Sequence, residues 1–583
     1  MSDPISIISP MSRAERLDRM DGVAPTVLVI GGGINGASVY RELALNGVPV
    51  MLAEKGDFCA GASSALSRMV HGGLRYLENG EFDLVREALD ERNRLLANAP
   101  HLVRPLRTVV PIDSWVSGSL NAPLKFLGLS RAPSRRGALP VKLGLSFYDV
   151  YTRGKGGMPK HAFLSGRAAR ARFPFRPEVR CAATYYDGQI SHPERIVTEL
   201  FEDVARAGAE AVALNYLEVS EIGAAEVTLR DRIDGREITM RPEIVVNATG
   251  AWIDMTNWRL APAPQPMVQG TKGAHLMLDH PELREMLGDD MVYYENTDGR
   301  ICIMFNLHGM VLVGSTDIKV PDPDRVRCEE DERDYILDGL RWVFPGLDVS
   351  LDHIRHVFAG VRPLPVSSAG TTGQIPRGHF NAWVEPEADK AHPPVLCMIG
   401  GKWTTFRAFG ELAADDVLKR LGRARQGDTR ALPIGGGLGF PRDPEAWVGQ
   451  IAEETGLTRK RVSDLVTRYG TLAAPLARRF AGERSLAGLP GYSVEEIDYL
   501  IAVEQVETLA DLALRRTTVA LGGALDGAAL EAMADRLAIA RGWGPDARAR
   551  ALRAFREKLV ADHGAEPVRV GLEESCKGEV AAQ

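Results

Sequence analysis

The sequence predicts a combined α/β and α+β fold. A discontinuous Rossmann-like domain would bind a dinucleotide, an antiparallel-sheet domain would cap it, and a helical domain would follow. Three observations predict this. A glycine-rich strand-turn-helix unit lies near the N-terminus, two buried strands far downstream end in small residues, and helical periodicity follows a segment rich in glycine and proline. The 583 residues leave room for roughly two to four domains.

The first unit begins with an apolar strand at residues 27–30, which runs into Gly31-Gly32-Gly33-Ile34-Asn35-Gly36 and then a helix-like stretch. Glycines there permit a tight turn and let the backbone approach a pyrophosphate, whose charge lies at the helix N-terminus. Residues 48–53 predict a second strand that ends at Glu54, about 20 positions on, where a ribose needs a hydrogen-bond acceptor. Together these features predict a dinucleotide site.

Two later segments indicate which dinucleotide binds. Residues 243–251 read as a buried strand that stops at Thr249 and Gly250, and residues 395–399 run into a turn of glycines and hydroxyls at 400–405. Such endings fit strands whose carboxyl ends pass close to a cofactor, although each alone is also typical of an ordinary turn. Because the three junctions are widely separated and an NAD domain is normally contiguous, they favour FAD.

Composition excludes several classes of function. Hydrophobic content of 45% and charged content of 25% are those of a globular protein, and a net charge of −7 argues against nucleic-acid binding. The six cysteines are scattered without metal-ligand spacing, so we expect reduced thiols and no metal. Residues 1–24 lack an apolar signal region and are expected to be a disordered extension. No uncharged apolar run is long enough to span a bilayer, so membrane contact would be peripheral.

With these segments the chain resembles the FAD-dependent glycerol-3-phosphate dehydrogenases, within the D-amino-acid-oxidase-like flavoproteins. The resemblance covers about residues 24–430, and a C-terminal stretch near residues 511–517 is also similar. The segments that carry it lie at residues 29–37, 63–65, 71–78, 246–250, 360–364 and 400–402. The run His71-Gly72-Gly73-Leu74-Arg75-Tyr76 is specific to this branch.

The family implies oxidation of glycerol 3-phosphate to dihydroxyacetone phosphate by hydride transfer to FAD, with electrons passed to a membrane quinone. It therefore implies an enzyme at the cytoplasmic face of the inner membrane, and a homodimer is compatible with this expectation. We expect the FAD to be non-covalent, because no histidine or cysteine placement demands a covalent bond.

Candidate site residues follow from the resemblance and from their chemistry. Cations suit a phosphorylated polyol, and arginine donates to phosphate in pairs. His71 and His275 are both candidate bases, His71 ranked slightly first, and either could instead polarise the forming carbonyl. The expected substrate residues are Arg75, Tyr76, Lys272, Arg362, Arg377 and Lys402. The expected cofactor residues are Gly31, Gly33, Asn35, Gly36, Glu54, Lys55, Ser63, Ser64, Gly72, Gly73, Thr249, Gly250, Gly401, Thr404 and Thr405. Residues 311–317 could line the substrate side or form a hairpin turn in the cap.

The predicted domain boundaries are as follows. The FAD domain takes residues 25–110, 190–260 and 355–430, and the cap takes 111–189 and 261–354. A linker at 431–445 leads to a helical domain at 446–560 and a tail at 561–583. Within the helical domain, Ser493 and Glu496 have capping-box spacing before an apolar run to residue 512.

An apparent insertion at about residues 114–138 departs from the shorter family members. Its apolar residues and arginines suit an anionic bilayer, a lid or a subunit contact. It also leaves the substrate open, since a longer polyol phosphate such as erythritol phosphate would use the same phosphate residues with a changed cap. An oxidase that reduces oxygen and a non-catalytic binding module are further alternatives.

Overall fold

The computed structural model describes residues 11–73, 81–115, 137–152, 158–223, 226–260, 265–367, 378–386 and 392–572. Strands are numbered β1 to β19 in chain order, and helices are given by their residues. The strands form a six-stranded, a ten-stranded and a three-stranded sheet, and a helical region follows them.

The six-stranded sheet has the order β18-β19-β11-β1-β2-β7 and is parallel except for β18, which pairs antiparallel with β19. Its strands are β1 Val27–Ile30, β2 Val50–Ala53, β7 Ala211–Leu214, β11 Ile244–Asn247, β18 His379–Val384 and β19 Val395–Gly400. Every residue of β1, β2, β11 and β19 is buried, as expected for parallel strands that are covered on both faces.

The two faces of this sheet are covered differently. One face packs against the helices Ile34–Leu45, Pro193–Arg206 and Phe406–Arg420. The other packs against the three-stranded sheet and the N-terminal helix Arg13–Met20. The strands of the small sheet are β8 Leu217–Ile222, β9 Val227–Asp231 and β10 Glu237–Met240. The predicted Rossmann-like α/β fold is thus confirmed.

The ten-stranded sheet forms the cap and is mostly antiparallel, with order β16-β12-β15-β14-β13-β4-β6-β3, while β17 pairs with β12 and β5 with β6. Its strands are β3 Met69–Val70, β4 Val103–Ile112, β5 Ala162–Ser165, β6 Cys181–Ile190, β12 Val268–Leu278, β13 Asp290–Glu295, β14 Ile301–Leu307, β15 Met310–Gly314, β16 Ile318–Val320 and β17 Ile354–Pro365. Its helices are Phe82–Asn98, Ala138–Thr152, Gly166–Arg172, Pro281–Leu287 and Glu330–Val343.

The C-terminal region is helical, as predicted, and has a core of its own. Its helices are Pro444–Thr455, Arg459–Tyr469, Ala473–Arg479, Val494–Val503, Leu509–Asp511, the π-helix Leu512–Arg516, Gly527–Arg541 and Pro545–His563. Ser493 caps its helix by accepting the Glu496 N–H (3.1 Å). The helix ends at Val503, short of residue 512, with Glu504 as its C-cap.

A buried ionic network ties this helical region to the dinucleotide domain. Arg516 donates two hydrogen bonds to Asp57 (2.8 and 2.9 Å), and Arg515 pairs with the same carboxylate. Glu504 accepts from Arg195 at the start of the helix Pro193–Arg206. Burial alone would raise the pKa of Asp57, but Arg516 and Arg515 lower it to about 2.

Two expectations about chain organisation are wrong. Residues 13–20 are a helix rather than a disordered extension, because Leu17 and Met20 pack into the core and Arg13 pairs with Asp231 (2.9 Å). The domain boundaries also differ, since β3, β4 and β17 fall in segments predicted for the dinucleotide domain yet join the cap sheet. Local periodicity predicts a strand but does not say which sheet the strand joins.

Two other expectations have partial outcomes. The predicted linker contains a short 3₁₀ turn, Gly435–Gly437, that is buried, so it packs closely against its neighbours. Residues 116–136, most of the apparent insertion, lie outside the described residues. Every helix in the described part of the chain is too short or too polar to cross a bilayer.

Candidate active site

A cleft of about 670 Å³ lies between the six-stranded sheet and the cap. The residues that follow β1, β2 and β11, and the end of β19, line it, so it is the crevice at the carboxyl ends of parallel strands. The cap contributes residues from β12 to β15 and from β17. The six-stranded sheet and the cap sheet therefore both contribute residues to one site.

The glycine loop forms one wall. Gly31 has a φ of +108°, and a Cβ there would lie 2.7 Å from the Ala248 carbonyl oxygen. A Cβ on Gly36 would lie 1.9 Å from the Gly31 oxygen, so neither position accepts a side chain. The helix Ile34–Leu45 begins here with Gly33 as its N-cap, and Ser63 Oγ accepts the Ile34 N–H (3.0 Å). Amides at a helix N-terminus suit a pyrophosphate.

The carboxylate predicted for ribose binding lies beside this loop. Glu54 accepts hydrogen bonds from the backbone N–H groups of Gly32 (2.6 Å) and Gly56 (2.8 Å). Burial raises the pKa of Glu54, and these two N–H groups oppose the rise. Its carboxylate is thereby fixed at the end of β2, within the cleft.

The residues present fit FAD. Gly401 (φ +102°) closes on the Asn35 side chain, from whose Nδ2 a Cβ at 401 would be 3.0 Å. Asn35 Oδ1 is buried and has no hydrogen-bond partner among the residues described. A polar atom left in this way beside a glycine cradle is what a bound cofactor would satisfy.

Arg362 on β17 supplies positive charge to the cleft. Its guanidinium lies against Gly273 of β12, where a Cβ would be 2.1 Å from Nη2. It donates to Ser315 Oγ (3.1 Å) and, at 3.3 Å each, to the Thr316 carbonyl oxygen and Asp317 Oδ1. The side chain remains 29% exposed, so a ligand in the cleft can reach it.

His275 is a buried, neutral imidazole. Its Nε2 lies 2.8 Å from Ser67 Oγ, and its ring stacks on Phe358 with centroids 5.1 Å apart. Burial, with Arg362 and Arg68 nearby, lowers the pKa of His275 to about 3. The ring fits because residue 314 is glycine, where a Cβ would be 2.4 Å from its Cδ2.

His71 follows directly after β3, lines the cleft and is half-buried. Its backbone N–H donates to Thr404 Oγ1 (3.2 Å), and the next N–H, of Gly72, donates to Asp187 (3.1 Å). Asp187 also accepts from Tyr148 (2.8 Å). The loop that carries His71 is therefore held by buried hydrogen bonds.

The cleft brings together most of the expected residues: Gly31, Gly33, Asn35, Glu54, Lys55, Ser63, His71, Thr249, Gly250, His275, Arg362, Gly401, Lys402 and Thr404. Others support its walls without lining it: Gly36, Ser64, Gly72, Gly73 and Thr405. Arg75, Tyr76 and Arg377 lie outside the described residues.

The structure corrects the prediction that Lys272 contacts the substrate. It does not line the cleft, and its ammonium pairs with Glu332 (2.7 Å) beneath the cap. Side chains alternate along a strand, so Lys272 faces away from the side that His275 occupies, three residues on in β12.

The sequence reasoning missed several lining residues. They are Ser67, Tyr293 and Ile303, together with Trp252, whose indole N–H donates to Asp324 (2.8 Å). Ser67 follows the family-like serines by three residues, which was the available signal. Tyr293 and Ile303 show only ordinary strand alternation, so nothing in the sequence marked them.

Comparisons with known proteins agree with this site. The family described as FAD dependent oxidoreductase matches residues 26–415, and the C-terminal domain of alpha-glycerophosphate oxidase matches residues 427–548. A glycerol-3-phosphate dehydrogenase from Synechocystis is 31% identical, covering 86% of this chain and 90% of that protein. The D-erythritol 1-phosphate dehydrogenase of Brucella abortus is 30% identical, over 84% of this chain and 93% of its own length.

A solved structure has the same fold. The glycerol-3-phosphate dehydrogenase of Bacillus halodurans, complexed with FAD, superposes with a TM-score of 0.71 at 23% identity, covering 94% of this chain and 97% of that one. The chain therefore belongs to the FAD-dependent oxidoreductases, in their glycerol-3-phosphate dehydrogenase family, and is an enzyme whose cofactor is FAD.

Proposed function

We propose that this enzyme oxidises sn-glycerol 3-phosphate to dihydroxyacetone phosphate and passes the electrons to a membrane quinone. The observation that carries the proposal is Arg362 and Lys402 in the same cleft as the FAD loop and two histidines. A phosphate dianion needs such cations, and the hydroxyl of a polyol needs a base. The name of the Synechocystis relative supports the same reaction.

The geometry supports one role for each of these residues in the proposed reaction. Arg362 and Lys402 bind the phosphate and hold the reacting carbon in place. FAD, when bound, supplies the acceptor for the hydride that leaves C2 of the substrate. His71 takes the hydroxyl proton, because a pKa of about 3 makes His275 a poor proton acceptor at neutral pH. His275, fixed by Ser67 and Phe358, polarises the forming carbonyl.

A second candidate substrate is a longer polyol phosphate. The Brucella relative, named for D-erythritol 1-phosphate, is nearly as similar to this chain as the Synechocystis protein. Both substrates would use the same cations and histidines. Their difference in length would be read by cap residues such as Tyr293 and Ile303.

Peripheral contact with the membrane is supported by the helix Ala138–Thr152. Its inner face packs Val141, Leu145 and Tyr148 into the cap, whereas Leu139 (59%), Leu143 (73%) and Val150 (73%) are exposed. Trp115, whose carbonyl oxygen accepts the Leu139 N–H (3.1 Å) at the start of this helix, is 57% exposed. An apolar helix face on the surface suits the interfacial region of a bilayer, from which a quinone would reach the enzyme. We place this contact at the cytoplasmic face of the inner membrane.

The experiment is anaerobic reduction of the purified flavoprotein, followed by flavin absorbance, with glycerol 3-phosphate, erythritol 1-phosphate or glycerol. Bleaching by glycerol 3-phosphate alone is expected. Faster bleaching by the four-carbon phosphate would move the specificity to the second candidate, and bleaching by glycerol would remove the phosphate requirement. Oxygen uptake with and without a soluble quinone then separates a dehydrogenase from an oxidase.

A further inference from the structure

We propose that Glu332 is a positioning residue for Arg362 and acts through Thr316, with Lys272 as its buried counter-ion. The inference rests on the proposed function, in which Arg362 binds the substrate's phosphate. It assigns a role to three side chains that lie behind the cleft and do not line it.

The first part is a buried ion pair. Lys272 Nζ lies 2.7 Å from Glu332 Oε2 and donates to the Arg327 carbonyl oxygen (3.0 Å). The two side chains are only 8% and 1% exposed. A buried pair is weak evidence for stability, because apolar residues of similar size often pack as well. Its geometry is therefore better explained by what the carboxylate holds.

The second part is a hydroxyl that Glu332 fixes. Glu332 Oε1 accepts the Thr316 Oγ1–H (2.7 Å), and Thr316 Oγ1 in turn accepts the Ala274 N–H of β12 (2.9 Å). Glu332 Oε2 also accepts the Glu329 N–H (3.0 Å) at the start of the helix Glu330–Val343. Thr316, buried at 3%, thus has both its donor and an acceptor site occupied, so its rotamer and its peptide are fixed.

The third part is the turn that holds the guanidinium. Three consecutive residues contact Arg362: Ser315 and Asp317 through their side chains and Thr316 through its carbonyl oxygen. Because Thr316 is the middle residue, its buried hydrogen bonds fix the positions from which Ser315 and Asp317 contact Arg362. The Lys272–Glu332 pair, acting through Thr316, thereby sets the direction in which the Arg362 guanidinium faces the cleft.

The test uses the FAD-loaded enzyme and two variants of one position. Thr316→Val removes both hydroxyl bonds at nearly constant shape, and Thr316→Ser keeps the hydroxyl. Binding of inorganic phosphate, read from the perturbation of flavin absorbance, gives a measure that does not require turnover. We expect Thr316→Val to weaken phosphate binding and to raise the KM for glycerol 3-phosphate about tenfold, as for a misplaced clamp. Thr316→Ser should stay within about twofold.

Two further proteins separate positioning from general damage. Glu332→Gln keeps an acceptor for Thr316 but loses the charge that faces Lys272, so an intermediate rise in KM is expected. Thr471→Val removes a comparable buried hydroxyl, which donates to Gly436 and Leu438 far from the cleft, and should lower Tm without changing KM.

The outcomes are distinct. Unchanged phosphate binding and KM in Thr316→Val, while Arg362→Ala loses both, would overturn the positioning role and leave the proposed function standing. If Arg362→Ala also changes neither, the phosphate role of Arg362 is wrong and both proposals fail. A rise in KM for Thr471→Val equal to that for Thr316→Val would assign the effect to lost stability and overturn the inference.

Discussion

The position of the Arg362 guanidinium depends on Gly273, which has no side chain. The guanidinium occupies the space above Gly273, and its partners leave part of it facing the cleft. We expect Arg362→Ala to raise KM and to lower kcat by at least about tenfold each, because a phosphate clamp also positions the reacting carbon.

The measurement is steady-state kinetics with flavin content determined for each preparation. FAD should remain bound, since the glycine loop is untouched. Arg362→Lys is the matched control: it keeps the charge but loses the planar fork, so partial activity is expected. Normal turnover in Arg362→Ala would remove this residue from the site.

The lowered pKa of His275 bears on which histidine can act as the base. With a pKa of about 3, His275 is neutral at every pH from 5 to 9 and does not titrate in that range. An acid limb in the pH profile of kcat/KM must then come from another group. If His71 is the base, His71→Asn should remove the contribution of the enzyme to the acid limb of this profile. His275→Asn should lower kcat/KM without shifting the pH at which the acid limb falls.

The substrate's phosphate titrates equally with all three proteins, so differences between them isolate the histidines. An inflection that disappears only in His275→Asn would exchange the two roles.

Stability gives an independent check on His275. Its folded-state pKa lies below the unfolded value near 6.5. Between these two values the unfolded chain binds a proton at this residue and the folded chain does not. The contribution of neutral His275 to the free energy of unfolding is therefore fully present above pH 6.5 and is lost as pH falls toward 3. The Tm of the wild type minus that of His275→Asn should shrink between pH 7.5 and pH 5, and a constant difference would contradict the lowered pKa.

At the scale of elements, the helix Ala138–Thr152 connects a surface with the site. Its outer face exposes Leu139, Leu143 and Val150, and its inner face carries Tyr148, which donates to the Asp187 carboxylate beneath Gly72. One helix therefore borders both the proposed membrane contact and the loop of His71.

We expect Leu143→Glu to weaken binding to anionic phospholipid vesicles, because it places a charge in the centre of the apolar face. Co-sedimentation with vesicles measures it. Val568→Glu is the matched control, since Val568 is equally exposed (74%) but lies in the C-terminal region. Equal loss in both variants, or in neither, would argue against this helix as the contact.

At the scale of the molecule, the helical region is joined to the FAD domain by buried charges at Asp57, Arg515 and Arg516. Asp57 lies three residues after Glu54, so the helical region supports the loop that follows the carboxylate predicted to bind a ribose. We expect Arg516→Met to destabilise the protein by about 3–5 kcal/mol, because it leaves Asp57 buried with less compensation.

Thermal unfolding and the release of fluorescent FAD on heating measure this effect together. Arg484→Met breaks the exposed pair with Glu495 and should cost at most about 1 kcal/mol. If Arg516→Met releases FAD at the wild-type temperature, the cofactor site does not depend on the helical region for its stability.

The sequence predicted those parts of the molecule that are encoded locally. The glycine loop and Glu54 were found because the turn, the strand before it and the carboxylate after it are contiguous. Lys272 is the exception, because similarity to a family segment does not show which face of β12 a side chain occupies, and strand alternation puts residues 272 and 275 on opposite faces. The sheet that β4 and β17 join could not be predicted, since pairing partners lie far away in the chain.

The order of the strands in the FAD sheet also bears on how the protein is made. The glycine loop is translated well before its wall at Ala248 and the Gly400–Gly401 turn. At typical rates of synthesis, on the order of 20 to 70 s separate the loop from that turn. The wall that Gly400 and Gly401 add to the FAD cleft is therefore available only late in synthesis, and a chain that terminates before residue 400 lacks that wall.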